Sequence, residues 1–390
     1  MFEFRVIKKS KKSRARLGIL KTLHGEVMTP AFVPVATRAA IKTLSSEEAF
    51  EAKCQIAIVN TFHLHLTPGG NMVKKAGGLN RLMNWPRPLM SDSGGFQVFS
   101  LGFGLDQGVG KILKTFPGGK RPEAIQSDAK PKKIRITRDG VYFRSLLDGS
   151  ELFMGPKESI QIQEKLGADI IFAFDECTSP LSDKKYIKES LERTHRWAMI
   201  CLQTKKSQPF DKAQGKQAIF GIIQGSSFKN LREESAMFIN GLGFDGFGIG
   251  GDLGASKITT QKILRWSLPL LDERKPRHLL GIGYPEDMER IIKEGVDLFD
   301  CTVPTHYARR GVAFVPSGKL DMRRAKFLTD QNPLDKKCAC SVCDSYRRNY
   351  ICHLIRAREI TGMKLLTLHN LYFFNTLVEN IREKIRKGII

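Results

Sequence analysis

Eight short apolar runs, separated by stretches of helical length, place the strongest constraint on the fold of this chain. The runs do not alternate strictly between apolar and polar residues, which is typical of parallel strands buried on both faces. Amphipathic stretches such as 182–203 and 285–295 lie between several of them. We therefore expect an α/β fold, a (β/α)₈ TIM barrel, with a doubly wound open sheet as the alternative. The runs are 29–37, 54–62, 87–95, 168–176, 217–225, 244–251, 277–283 and 296–304.

Three segments interrupt this alternation. Residues 103–135 are rich in Gly, Lys and Pro without a clear period, and we expect a surface insertion there. The sequence after it predicts a hairpin that turns at Asp139-Gly140. Residues 204–217 are polar and predict a connector.

The charge of the chain is strongly basic. Lys and Arg number 63 against 40 Asp and Glu, a net charge of +23. This favours a polyanionic partner, nucleic acid before an acidic membrane surface, although a basic surface without a role is the alternative. The sequence contains neither an apolar run of transmembrane length nor the apolar core of a signal peptide. We expect no membrane association and a cytoplasmic location.

Three cysteines within six residues predict a metal site near the C-terminus. Cys338, Cys340 and Cys343 are followed by His369. Three thiolates and one imidazole form a closed tetrahedral site for Zn²⁺ with no open position for water, so the zinc is expected to be structural. Buried free cysteines with an unrelated histidine are the alternative.

The fourth ligand and the domain boundary depend on this region. Cys352 and His353 compete with His369 for the fourth position. We expect a barrel over residues 1–330, with the insertion inside it, and a zinc-binding subdomain with C-terminal helices over 331–390.

Polar residues follow several of the predicted strands where each strand ends. A single carboxylate at such a place is more often a helix N-cap. Several carboxylates, an amide and a glycine pair on the rim where barrels carry chemistry instead favour a reactive site. Two carboxylates suit retaining glycosyl transfer, and an aspartate with an amide and an aromatic face suits a purine. The residues are Asp92, Phe96, Asp175, Glu176, Gln224, Gly250, Gly251 and Asp300.

Motifs in a fixed order carry a family resemblance. They are SDSGGFQVFS (91–100), FAFDEC (172–177), GIIQGS (221–226), GFGIGG (246–251), LLGIGYPEDM (279–288), DLFDCTVPT (297–305) and the cysteine–histidine set. With the opening segments RARLGILKTLHGEVMTPAFVPVAT and VNTFHLHLTPG, they make the chain similar to the bacterial tRNA-guanine transglycosylases (queuine tRNA-ribosyltransferases). The resemblance runs from about residue 14 to the C-terminus.

The resemblance implies a TIM barrel with a zinc subdomain, acting as a homodimer on tRNA. The implied reaction, part of queuosine modification, exchanges guanine at the wobble position of the anticodon for a 7-deazaguanine base by double displacement. Asp300 would be the nucleophile that forms a covalent RNA–enzyme intermediate, and Asp92 the general acid/base.

The resemblance also implies two groups of contacts. Those to the base would come from Ser93, Gly94, Gly95, Phe96, Asp175, Gln224, Gly251 and Leu280. Those to the RNA would come from Gly281, Ile282, Gly283, Tyr284, Pro285, Glu286, Asp287, Thr305, His306, Tyr307, Ala308 and Arg309.

Two departures from the family pattern bear on specificity. After Gly251 the chain reads DLGASK, where bacterial relatives usually read Leu-Ala-Val-Gly-Glu. Gly254 and Ala255 resemble the loop of queuine-using relatives, so queuine is slightly favoured over 7-aminomethyl-7-deazaguanine; Asp252 fits neither pattern. His306 stands where an arginine is usual, while Arg309 retains its place.

Three other functions are weighed against this one. An archaeosine-type transglycosylase normally has further C-terminal domains, and a non-catalytic tRNA-binding subunit would lack carboxylates that are present here. A barrel metallohydrolase would need clustered metal ligands at the rim, which this sequence does not offer.

Overall fold

The barrel is closed. The computed structural model describes residues 2–99, 134–145, 148–179, 182–207, 217–251 and 257–390. Within them eight parallel strands form one closed barrel, so the predicted barrel is confirmed and the open sheet is excluded. Each predicted apolar run contains one strand. Barrel strands 1 to 8 are Ala31–Ala36, Ala57–Val59, Leu89–Ser91, Ile170–Phe172, Ala218–Ile223, Gly246–Ile249, Arg277–Leu279 and Leu298–Cys301.

The interior of the barrel is filled with apolar side chains. Phe172, Phe220 and Leu298 point into one buried cluster with residues of the other strands. An antiparallel sheet closes the end where the strands begin, and its Leu20 and Val27 belong to the same cluster. This arrangement leaves the C-terminal ends of the strands for a site. The sheet consists of Glu3–Lys9, Arg16–Thr22 and Gly25–Thr29.

The helices follow the predicted alternation with small shifts at their ends. The predicted helices 182–203 and 285–295 correspond to Lys184–Ser207 and Pro285–Lys293. Others in the described residues are Ser46–Glu51, Thr61–Leu66, Gly70–Lys75, Leu79–Leu82, Pro156–Leu166, Lys229–Gly241, Lys257–Ser267, Val303–Ala308, Ser341–Ser345, Arg348–Arg356 and Ile360–Arg386, with 3₁₀ turns at Leu268–Leu270 and Ala325–Phe327.

The predicted hairpin is confirmed. Ile136 pairs with Val141 across the turn that contains Asp139 and Gly140, and a third strand, Glu151–Met154, extends the sheet of Arg135–Ile136 and Val141–Arg144. The predicted insertion lies outside the described residues except for 134–135. Of the predicted connector, 204–207 are the end of a helix, 217 is described, and 208–216 lie outside.

The last helix joins the C-terminal region to the barrel. Ile360–Arg386 packs against barrel strand 1 and against the hairpin Val312–Val315/Gly318–Asp321. The ring of its Phe374 lies 5.4 Å from that of Phe32 and 5.2 Å from that of Phe314, measured between centroids. Since the helix contacts both units, the division at residue 330 stays a prediction. Among the described residues, none of the helices combines the length and apolarity needed to cross a membrane.

Candidate active site and metal centre

A cavity of about 440 Å³ opens where the barrel strands end. Its size is in the range of sites for small ligands. The strands of a barrel converge there, so side chains far apart in sequence meet around one volume. Eight of the predicted base-site and reactive residues line it: Asp92, Ser93, Phe96, Asp175, Gly250, Gly251, Leu280 and Asp300.

The carboxylate of Asp92 is held by the start of the neighbouring helix. Asn60 Nδ2 donates to its Oδ2 at 2.5 Å, and the backbone N–H of Thr61 donates to its Oδ1 at 2.9 Å. The N–H of Gly94 donates to the same Oδ1 at 3.0 Å. Three donors from two segments of the chain therefore fix the orientation of this carboxylate. Asp92 is thus a positioned acceptor at the edge of the cavity.

The carboxylate of Asp300 lines the same cavity from the end of barrel strand 8. Its Oδ1 accepts from Nε2 of His278 at 2.9 Å and from the N–H of Gly281 at 3.1 Å. The side chain is 13% exposed. Both hydrogen bonds within the described residues end on Oδ1, so Oδ2 is the oxygen available for chemistry.

Asp175 and Gln224 form a polar pair at the wall of the cavity. Gln224 Nε2 donates to Asp175 Oδ2 at 2.6 Å, and Ser93 Oγ donates to Oδ1 at 3.1 Å. Gln224 does not itself line the cavity; its Oε1 is buried without a partner in the described residues and lies against Gly251. A Cβ at Gly251 would lie 1.9 Å from that oxygen, so this position requires glycine.

Glu176 takes no part in the cavity. It is fully buried, and its carboxylate accepts from Tyr186 Oη at 2.6 Å and from Arg193 Nε at 2.7 Å. Of the two adjacent acidic residues in the motif, therefore, only Asp175 faces the site.

Gly94 and Gly95 pack against protein. A Cβ at Gly95 would lie 2.7 Å from the carbonyl oxygen of Asp175, and one at Gly94 would lie 3.1 Å from Met154 Sδ. Neither glycine lines the cavity. The structure explains both through close packing of the turn, and their predicted contact with a base stays a prediction.

The two predicted RNA segments are only partly accessible. Four of their residues are buried: Gly283, Asp287, Thr305 and Ala308. The accessible residues are Gly281, Ile282, Tyr284, Pro285, Glu286, His306, Tyr307 and Arg309. The rings of Tyr284 and Tyr307 meet edge to face at 6.5 Å, with Lys319 Nζ 4.7 Å from the Tyr307 centroid. Lys319 was not among the predicted residues.

Positive charge concentrates beside the segment 305–309. Burial, followed by Arg310 and Arg309, lowers the pKa of His306. Burial, followed by Arg309 and Arg38, lowers the pKa of Lys42. Cations that disfavour one another's charge in this way form a site that a polyanion would stabilise. Arg38 and Lys42 follow barrel strand 1 and were also missed by the sequence analysis.

Asn60 and His278 are the other residues that the sequence analysis missed. Asn60 stands at the end of barrel strand 2, a position that could have suggested it. His278 lies inside barrel strand 7, where a histidine directly before Leu279 and Leu280 in a predicted buried strand was a usable signal. The loop with Asp252, Gly254 and Ala255 lies outside the described residues.

The four predicted zinc ligands cluster in space. The ligand atoms of Cys338, Cys340, Cys343 and His369 all lie within 4.8 Å of one another. Nδ1 of His369 is 3.9, 3.5 and 3.4 Å from the three sulfurs in that order. Bond lengths of about 2.3 Å to sulfur and 2.0 Å to nitrogen place tetrahedral ligand atoms roughly 3.5–3.8 Å apart, so the set fits one structural Zn²⁺.

A hydrogen bond orients the histidine for this role. Nε2 of His369 lies 2.8 Å from the carbonyl oxygen of Phe314, which can only accept, so Nδ1 carries the lone pair that faces the sulfurs. Cys352 instead approaches the carbonyl of Arg324, and His353 is exposed. His369 is therefore the fourth ligand. A zinc held here would tie the loop of the cysteines to the last helix.

Comparisons with known proteins agree with this geometry. The family model described as queuine tRNA-ribosyltransferase matches residues 10–390. A protein of Archaeoglobus fulgidus is 45% identical over 387 residues, 96% of this chain and 94% of its own. The queuine tRNA-ribosyltransferases of Halothermothrix orenii and Natranaerobius thermophilus are each 44% identical, covering 99% and 96% of this chain and 94% and 92% of theirs. The chain belongs to the queuine tRNA-ribosyltransferase family.

Proposed function

We propose that this chain is a tRNA-guanine transglycosylase, which exchanges guanine at the wobble position of tRNA anticodons for a 7-deazaguanine base. The observation that carries the proposal is the placement of Asp92 and Asp300 on one cavity beside the Asp175–Gln224 pair. Two carboxylates provide a nucleophile and a proton carrier, and the polar pair provides hydrogen bonds for a purine edge. Membership of the family supports the same activity.

In the first half-reaction Asp300 is the nucleophile. Its Oδ2 forms a bond to C1′ of the ribose while the glycosidic bond breaks, and the electron pair leaves with guanine. Asp92 is the acid that supplies the departing base with a proton. The product is an RNA chain bound to Asp300 as an ester, with free guanine in the cavity.

The second half-reaction reverses these steps with another base. Asp92 removes a proton from the incoming 7-deazaguanine, whose ring nitrogen attacks C1′. The ester bond breaks and Asp300 regains its carboxylate. Two displacements at one carbon retain its configuration, and one glycosidic bond replaces another, so no external energy source is required.

The wall of the cavity is proposed to read the base. Asp175 accepts from the N–H groups of the guanine edge, the N–H of Gly251 donates to its carbonyl, and Gln224 supports this recognition by holding Asp175 in place. Phe96 and Leu280 pack on the faces of the ring. Side chains that are themselves fixed by hydrogen bonds, as Asp175 is, recognise a base with little reorganisation.

The anticodon loop suits this chemistry because its bases are already single-stranded. The target base must leave its stack to enter the cavity, which costs least in a loop. The accessible residues of 281–287 and 305–309 are proposed to hold the flanking nucleotides. The positive cluster around Arg309 and Lys42 would contact the phosphates.

Replacement of the proposed nucleophile tests the function. Asp300→Asn is expected to abolish incorporation of radiolabelled guanine into tRNA, because an amide does not form the ester. Asp272→Asn, which changes an aspartate away from the cavity, is expected to retain exchange. Normal exchange by folded Asp300→Asn would contradict the role of Asp300. Exchange by the unaltered protein that is lost in Asp300→Asn also excludes a non-catalytic tRNA-binding subunit, which would show no exchange in either form.

The incoming base and the modified position need a second measurement. We propose that queuine is the preferred incoming base over 7-aminomethyl-7-deazaguanine, because the sequence of residues 252–257 resembles the loop of queuine-using relatives. Parallel assays with the two bases, followed by mapping of the modified nucleotide, distinguish them and also distinguish the wobble position from an archaeosine-type site elsewhere in tRNA. Faster exchange with the aminomethyl base would reverse the order.

The assembly and location are proposed from the family resemblance. A homodimer would use one copy for chemistry and the other to hold the tRNA. Tyr346 and Tyr350 form a stacked pair, 5.8 Å between centroids, and Tyr350 is 45% exposed, which is the kind of surface that a second copy can cover. The proposed cytoplasmic location follows from the tRNA substrate. Sedimentation velocity measures the oligomeric state.

A further inference from the structure

His278 is a buried polar residue that contacts the cavity residue Asp300 without lining the cavity itself. It lies in barrel strand 7 with an exposed fraction of 0%, and its ring meets that of Phe172 edge to face at 5.4 Å. A histidine inside an apolar barrel costs free energy unless its nitrogens are hydrogen-bonded. Its single hydrogen bond to a side chain within the described residues goes to Asp300.

The direction of that hydrogen bond is set by chemistry. An ionised carboxylate can only accept, so Nε2 of His278 carries the hydrogen and donates to Oδ1 of Asp300 at 2.9 Å. Nδ1 is then an acceptor, buried without a partner in the described residues. The core therefore leaves one nitrogen of His278 without a hydrogen bond, while the other nitrogen bonds to Asp300. This indicates that the histidine serves the carboxylate of Asp300 and not the packing of the core.

We propose that His278 is a positioning residue for the nucleophile. With the N–H of Gly281, it holds Oδ1 from two sides and turns Oδ2 toward the ribose. The inference rests on the proposed role of Asp300 and goes beyond it, because neither the motifs nor the family resemblance pointed to His278.

The same hydrogen bond serves both half-reactions. When Oδ2 bonds to C1′ and guanine leaves with the electron pair, Oδ1 becomes the carbonyl oxygen of the ester and still accepts from Nε2. When the incoming base displaces the ester, the negative charge returns to a carboxylate whose Oδ1 already has two donors. His278 transfers no proton, so its contribution is orientation and stabilisation of the leaving carboxylate.

Two amide variants provide the test. In His278→Gln the side-chain amide reaches about as far as Nε2 and can donate to Asp300; in His278→Asn it is one methylene shorter and cannot. We expect kcat of guanine exchange to fall roughly 10- to 100-fold in the Asn variant, because a misplaced reacting group loses rate on that order. The Gln variant should recover most of this loss. KM for tRNA should be unchanged in both, since His278 has no access to the RNA.

The two amides have the same polarity, so a purely structural role would affect them alike. Equal kcat values in the Gln and Asn variants, at any level, would overturn the proposal. The rate at which the covalent tRNA–enzyme adduct forms in a single turnover should show the same ratio as kcat. Asp300→Asn separates the two hypotheses: if it abolishes exchange while His278→Asn does not alter it, only the role of His278 fails.

Discussion

At the scale of single residues, the site depends on a glycine that leaves no space for a side chain. Gly251 has φ of +79° and lies against the amide of Gln224, which in turn bonds to Asp175. Gly243 has nearly the same backbone angle, +81°, but its Cβ position is open. The two glycines therefore separate backbone strain from the effect of a side chain in the site.

Gly251→Ala is expected to raise KM for guanine about tenfold or more. Its methyl group would displace Gln224 from Asp175, and a hydrogen bond to a charged group contributes roughly 1.5–3 kcal/mol. Gly243→Ala should cost stability of about 1–2 kcal/mol from the left-handed conformation alone and leave KM unchanged. Steady-state exchange kinetics measure both variants, and a similar KM in the two would contradict this reading of Gly251.

At the scale of elements, the zinc site connects three segments. The cysteines belong to the loop and short helix around 338–343, His369 belongs to the last helix, and its Nε2 contacts the hairpin at Phe314. Because that helix also packs on barrel strand 1, loss of the metal should loosen the C-terminal region against the barrel.

Cys340→Ala is expected to reduce bound zinc from one per chain to near zero and to lower the midpoint of thermal unfolding. Cys352→Ala is the matched control, because Cys352 is equally buried but lies outside the cluster. It should retain one zinc. Metal analysis of the purified variants decides the matter, and full zinc content in Cys340→Ala would remove this cysteine from the ligand set.

At the scale of the whole molecule, a buried ion pair joins the N-terminal sheet to the last strand of the barrel. Arg16 in the N-terminal sheet donates to Asp297, which directly precedes barrel strand 8, through Nε at 2.8 Å and Nη2 at 2.5 Å. Their side chains are 3% and 0% exposed. The N–H of Arg277 donates to the same carboxylate at 2.8 Å. Asp297 therefore links the N-terminal sheet to two strands at the bottom of the barrel.

Arg16→Met is expected to lower the free energy of unfolding by about 3–5 kcal/mol, because it removes the hydrogen-bonded ion-pair partner of the buried Asp297 carboxylate. Arg274→Met breaks the surface pair with Asp272, where Arg274 is 88% exposed, and should cost about 0–1 kcal/mol. Urea unfolding gives both values. The activity of folded Arg16→Met should be normal, since the pair lies at the opposite end from the cavity; equal stability losses in the two variants would refute the argument.

Patterns within short stretches determined the fold and the metal site. The eight apolar runs identified the eight barrel strands because strands buried on both faces need continuous apolar sequence. The spacing of Cys338, Cys340 and Cys343 predicted zinc because a tetrahedral site needs closely placed thiolates. Positions at strand ends likewise identified Asp92, Asp175 and Asp300, since parallel strands end on one rim.

The contacts between side chains of the site became known only from the closed barrel. Asn60 on Asp92, His278 on Asp300 and Gln224 on Asp175 are contacts across 32, 22 and 49 positions of sequence. No local pattern specifies such pairs, because they depend on strand register and on the direction in which each side chain leaves its strand. The same holds for Gly94 and Gly95, whose space is filled by protein atoms that the folded chain brings beside them. The sequence alone thus determined where a site lies, and tertiary packing determined how its groups are held.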